Sequence, residues 1–214
     1  MDKITSVKIV DCDESFYVKP VRMLYEQDGK QKEWDLMRVH DSVAVIIFNI
    51  TRQVLVFVKQ FRPAVYYAEA KSEDNSNEID VKKYPPSLGM TFELCAGIAD
   101  KDQSLSEMVR DEVLEECGYS VPLSLFQKVT SYRSGVGVAA SLQTLFYVEV
   151  TDSMKISDGG GNDHEGEYIE VIELDLHKAN SLIYDETLPR PPSLLLALMW
   201  FFQNKAPPKL SQKL

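Results

Sequence analysis

The chain has 214 residues, 44% of them hydrophobic, which is enough to bury a sizeable core in one domain with a small appended subdomain. A formal charge of -10 opposes a phosphodiester backbone, so polymeric nucleic acid is excluded as a direct partner, while a small phosphate-bearing substrate stays compatible if a cation mediates. Cys12, Cys95 and Cys117 are an odd number without CxxC spacing, which favours reduced thiols in a reducing, cytoplasmic setting. No apolar stretch follows Met1, so no signal peptide is expected. The longest apolar run, Leu194 to Phe202, falls well short of the roughly 20 residues of a spanning helix, so no membrane partner is expected either.

The first forty residues alternate in short bursts, and "QDGK" supplies a hairpin turn between two half-buried strands of a small antiparallel subdomain over 1–40. The remainder, 41–214, reads as the main domain. "SVAVIIFN" and "QVLVFVKQF" are paired central strands. From about 67 to 90 the chain turns polar, so a mobile insertion without regular structure is expected there. "TFELCAG" resumes as a strand ending at Gly97. Ser104 caps a helix running to about Cys117, which Gly118 ends. Strands follow around Leu125 to Tyr132 and Ser141 to Val150. After the acidic loop "SDGGGNDHEGE" come a strand "YIEVIEL" and helices near Leu176 to Tyr184 and Ser193 to Asn204. Strands with interposed and terminal helices give an α+β or α/β/α sandwich class with a mixed sheet, rather than a doubly wound parallel one.

The helix carries the chemistry. Leu105, Val109 and Val113 form its apolar stripe, and at 100° per residue Glu112, Glu115 and Glu116 border that stripe rather than opposing it, whereas Glu107 and Asp111 lie opposite. Carboxylates packed beside a core repel one another and are costly to desolvate unless a divalent cation neutralises them, and Mg²⁺ prefers such oxygen ligands. The alternative is an ordinary solvated acidic face. His40 and His164 make no metal spacing with each other or with a cysteine, so zinc is not expected.

Gly97, fifteen residues before Glu112, and the run "EVLEECGY" together resemble the Nudix hydrolase signature GX5EX7REUXEEXGU, laid over Gly97 to Tyr119. Two positions depart from it: Gln103 stands for the first glutamate and Asp111 for the arginine, residues that in the family brace the loop against the helix. "QFRP" and "FELCAG" extend the resemblance to the nucleoside diphosphate sugar branch of the family. The resemblance implies a Nudix sandwich and Mg²⁺-dependent hydrolysis, with Mn²⁺ able to substitute, of a nucleoside diphosphate sugar: UDP-glucose to UMP and glucose 1-phosphate, or an ADP sugar such as ADP-ribose. A silent sugar-nucleotide-binding module is the reading from another class. By position, the resemblance makes Glu112 and Glu116 the leading metal ligands, Glu115 a ligand or its support, and the Ala96 carbonyl a further donor. It places a late carboxylate in "GGGNDHEGE", with Glu165 as general base and Glu167 as ligand, the alternative being a flexible acidic loop. Arg62 and, more weakly, Arg133 are the phosphate-binding candidates, against a surface salt bridge for Arg62. The three glycines suit a loop that closes on substrate or plain disorder. The branch also implies a homodimer.

Overall fold

The computed structural model describes residues 4–15, 18–70, 77–99, 102–162 and 166–207. A short strand β1 (Val7–Lys8) precedes the hairpin of β2 (Lys19–Gln27) and β3 (Lys30–Arg38). Its two-residue turn places Asp28 and Gly29 at φ 55° and 72°, the left-handed geometry whose twist matches that of the flanking strands. The strands are mostly exposed rather than half-buried, with Leu24 and Trp34 open to solvent, because the hairpin pairs only with itself. It touches the main body where the Trp34 indole N–H and the Met37 N–H donate to the carbonyls of Gly137 and Val138.

The main sheet begins with β4 (Ser42–Asn49) and β5 (Val54–Phe61). Next come a helix α1 (Pro63–Glu69), β6 (Glu78–Ile79), β7 (Met90–Glu93) and β8 (Cys95–Ile98). The signature helix is α2 (Leu105–Cys117), followed by β9 (Gln127–Ser134), β10 (Ser141–Val150) and β11 (Ile169–Asp175). Two helices, α3 (Leu176–Ser181) and α4 (Pro192–Asn204), close the described chain. The strand order is β11-β5-β4-β10-β9. β10 runs parallel to β4 and every other pairing is antiparallel, so the sheet is mixed.

The run of β-branched residues in β4 is buried on both faces, and its alternation sorts side chains between two cores. Val43, Val45 and Ile47 pack with Val109 and Val113 of α2, while Ala44, Ile46 and Phe48 pack with Leu194, Leu198 and Phe201 of α4. Each of these side chains other than Ala44 contributes about 1.5–3 kcal/mol of burial. This is the expected α/β/α sandwich. Among the described residues no helix is long and apolar enough to cross a membrane.

Two expectations need correction. The 67–90 segment is not without regular structure: α1 runs into it, β6 pairs antiparallel with β1, and a 3-10 turn spans Pro86–Gly89. Tyr66, Ala70 and Ile79 bury together there, since a few apolar residues suffice when the distant N-terminal strand covers them. The single strand expected for "TFELCAG" is two. β4 and β5 pair with each other only from Ile47/Val56 to Asn49/Val54, then diverge; β7 follows β5 and β8 follows β4. The switch occurs at Leu94, so residues 90–98 fill the opening of a splayed hairpin.

Candidate active site

That opening positions the site. Glu93, at the end of β7, lies opposite Val58, and Ala96, in β8, lies opposite Ala44. The Ala96 N–H is not spent on the ladder; it donates to Glu116 Oε2 at 3.0 Å. On a strand a residue's N–H and C=O point toward the same edge, so the Ala96 carbonyl faces the side where Glu116 sits.

α2 is held in place at both ends. Ser104 and Glu107 form a capping box, with the Glu107 N–H donating to Ser104 Oγ at 3.3 Å and the Ser104 N–H donating to Glu107 Oε2 at 2.9 Å. Gly118 at φ 74° ends it. The helix then presents its acidic residues unequally. Glu116 is buried at 1% exposure, Glu112 is half-buried, and Glu115 is exposed. Glu112 lies directly over Gly97: a Cβ built there would fall 2.1 Å from the Glu112 carboxylate, so the bare glycine leaves the space that the Glu112 side chain occupies. The spacing of Gly97 and Glu112 in the sequence therefore has a steric cause.

Burial pushes the Glu116 carboxyl up to about 8, outweighing the Cys95 thiol and the Ala96 N–H, which favour the charged form; the charges of Glu112 and Glu167 push it further up. Such a group stays ionised at neutral pH only with a positive partner.

A cleft of about 780 Å³ opens beside this group, with Glu116 buried rather than among its lining residues. Glu112, Glu115, Gly97, Ala96 and Glu167 line one side, and Arg62 and Glu93 adjoin them. Arg62, just beyond β5, holds Glu93 in a two-pronged ion pair at 2.8 and 2.7 Å, so it is both an ion-pair member and a cleft residue. Its other Nη has no partner among the described residues. Arg133 reaches the cleft from β9 while donating to the Ala140 carbonyl at 3.0 Å. Glu167 faces the cleft across Gly161. Glu165 and His164 lie outside the described residues.

Sequence reasoning missed two features. Glu93 is the glutamate of "FELCAG", quoted for resemblance yet not singled out; its pairing with Arg62 depends on the β5–β7 register. Also lining the cleft, Tyr132 O–H donates to Gln143 Oε1, and Gln143 Nε2 donates to Ser42 Oγ at 3.0 Å. This neutral hydrogen-bonding wall comes from three separate strands, and no local motif announces it.

The donor set suits a hard divalent cation. Glu112, Glu115, Glu116, Glu167 and the Ala96 carbonyl offer oxygen only, and Glu116 is buried with too little compensation. Among the described residues no three histidine, cysteine or acidic side chains converge closely enough to hold a metal ion by themselves. Such a set leaves a divalent cation to complete its shell with water or with a ligand's own oxygens.

The chain is 43% identical to uridine diphosphate glucose pyrophosphatase NUDT14 of Bos taurus over 217 residues, covering 97% of this chain and 98% of that one. This chain is a Nudix hydrolase. The Mus musculus protein of the same name is 42% identical over the same shares of both chains. The GDP-mannose pyrophosphatase of Pectobacterium atrosepticum is 30% identical over 73% of this hydrolase and 70% of its own length. No protein-family model matches the chain.

The hydrolase's two departures from the signature lie away from the cleft lining. Asp111 binds its neighbour Arg110 at 2.9 and 2.7 Å, so the helix has a basic residue one position earlier than the signature does, and its charge is met locally. Gln103 precedes the cap residue Ser104 and is half-buried. Neither replaces an oxygen donor of the acidic wall.

Proposed function

We propose that this Nudix hydrolase cleaves the diphosphate of UDP-glucose, with Mg²⁺ as cofactor and Mn²⁺ as substitute, releasing UMP and glucose 1-phosphate. The observation that carries the diphosphate chemistry is buried Glu116, tied to the Ala96 N–H beside a Glu112 that Gly97 makes room for. The choice of nucleotide rests on near full-length similarity to the two uridine diphosphate glucose pyrophosphatases.

In this reading Glu112, Glu116, Glu115, Glu167 and the Ala96 carbonyl hold the cation. When bound, it supplies Lewis-acid stabilisation of charge on the diphosphate and makes water more acidic. The chain's own residues do the rest. Arg62, oriented by Glu93, grips a phosphate oxygen with its remaining N–H groups, and Arg133 meets the other end of the substrate at the rim. Glu165, two residues before Glu167, accepts the proton of the attacking water as the P–O bond to the leaving phosphate breaks. Ser42, Gln143 and Tyr132 offer neutral hydrogen bonds to hydroxyls. We further assign residues 1–40 to a homodimer contact and to completion of the substrate site through the strand faces that carry the exposed Met23, Leu24 and Trp34, away from the turn at Asp28 and Gly29, on a hairpin that has no second sheet to pair with. Buried Cys95 and Cys117, both free thiols, accord with a cytoplasmic protein.

Initial rates on UDP-glucose, ADP-ribose and GDP-mannose with Mg²⁺ test the assignment. UDP-glucose is expected to give the highest kcat/KM. A higher value for ADP-ribose would move the assignment to the ADP-sugar activity, and binding without turnover of any compound would make the protein a silent module.

A further inference from the structure

The triple glycine "GGG" at 159–161 reads from sequence as a mobile loop, but the structure uses it otherwise. A helix leaves its last carbonyls without intrahelical partners, and buried carbonyls must find donors elsewhere. At the end of α2 those donors come almost wholly from residues 155–161. Gly161 N–H donates to the Glu115 carbonyl at 3.3 Å, and Gly160 N–H to the Glu116 carbonyl at 2.9 Å. Lys155 Nζ donates to the Cys117 carbonyl at 3.1 Å, and Ile156 N–H to that of Gly118 at 2.9 Å. The two carbonyls met by glycine N–H groups belong to Glu115 and Glu116 themselves.

The contact is too close for side chains. A Cβ at Gly159 would fall 2.3 Å from the Glu116 carbonyl oxygen, and Gly159 and Gly161 hold φ of 75° and 81°. At its far end the strap meets another acidic residue of the cleft, Glu167. A Cβ at Gly161 would lie 2.9 Å from Glu167 Oε2, and the Glu167 N–H donates to the Asn162 carbonyl at 3.1 Å. The Gly160 carbonyl accepts from Ile169 N–H at 2.9 Å, fixing the strap to the start of β11.

We infer that Gly159, Gly160 and Gly161 are positioning residues: a rigid strap that sets the distance between the helix-borne carboxylates and Glu167, so that both can reach one cation site. This rests on the metal reading of the cleft given above. The strap acts through Glu116 and Glu167 and touches no substrate.

The test is Mn²⁺ binding to the full-length protein, followed by electron paramagnetic resonance in the absence of substrate. Gly161→Ala meets the Glu167 side chain rather than backbone and adds the strain of a Cβ at φ 81°, so a parent-like circular dichroism spectrum checks the fold, and Mn²⁺ affinity is expected to fall about tenfold. Raising Mn²⁺ is then expected to restore kcat with UDP-glucose. Gly29→Ala is the control: it carries the same backbone strain at φ 72° with no atom within 4 Å of the added Cβ, and its affinity is expected to match the parent's. Parent-like Mn²⁺ binding by Gly161→Ala, or equal weakening in Gly29→Ala, would overturn the strap while the metal reading stood. Glu116→Gln separates the two ideas, since undiminished Mn²⁺ binding in that variant would remove the metal reading and the strap together.

Discussion

Two arginines flank β5, and they end in different circumstances. Arg52, before the strand, is exposed yet fully paired: Nε donates to Asp152 at 2.6 Å, its two Nη groups go to Glu173, and one also reaches the Tyr119 hydroxyl at 3.1 Å. Asn49 and Lys155 complete that cluster, Asn49 on Asp152 and Lys155 over the Tyr119 ring. Arg62, after the strand, has the same two-pronged carboxylate contact but with Glu93 alone, on the wall of the cleft. At one end of the strand charge is matched by charge; at the other, acid outnumbers base beside a buried Glu116. Polar groups that are satisfied stabilise a fold, and those left short of a partner mark where a ligand's charge is to be met.

The largest effect that would break this contrast is Glu116→Gln. Turnover should fall about a thousandfold, since the several kcal/mol of charge stabilisation that a cation supplies is lost. Melting temperature should hold or rise, because an unfavourably buried acid has gone. A melting temperature that fell with activity intact would reverse the roles of the two ends.

Arg62→Lys comes next. Lysine keeps the charge but not the fork, so kcat/KM should drop about tenfold or more, read from initial rates.

The two ends should also respond oppositely to pH. Glu116 is raised from 4.5 to about 8, so the metal-free folded protein holds a proton that the unfolded chain has released. Stability is full below about 4.5 and declines as pH rises toward about 8. Asp152, whose hydrogen bonds from Asn49 and Arg52 lower it below 3.8, contributes stability above that value and loses it as pH falls. Thermal melts of metal-free protein across pH should show the first decline, and Mg²⁺ should flatten it.

Arg52→Ala should cost about 1–2 kcal/mol and a few degrees of melting temperature, with kcat unchanged. The smallest effect is expected of Gln103→Glu, which restores the signature residue beside the helix cap: a change in kcat under about twofold, like other substitutions away from the core.

What the sequence disclosed follows the range of each interaction. α2 was legible at both ends because its cap, Ser104, and its stop, Gly118, are local signals. The β4 run and the exact span of β10 were legible because β-branched residues bury on both faces of a sheet. Glu112 and Glu116 were legible because helical spacing set them beside Val109 and Val113. The pairing of β1 with β6 joins residues about seventy positions apart, and no local pattern encodes it. Glu93 meets Arg62 only through the β5–β7 register. The glycines at 159–161 misled for a different reason: the same lack of side chains that permits flexibility also permits the closest backbone packing, and only the neighbouring helix end distinguishes the two.

The central claim is that a divalent cation held by the α2 carboxylates drives hydrolysis of a nucleotide sugar diphosphate. Phosphorus nuclear magnetic resonance of UDP-glucose incubated with the protein reads it directly. UMP and glucose 1-phosphate should accumulate with Mg²⁺ and stop accumulating when a chelator is added; the same rate after chelation would contradict the account.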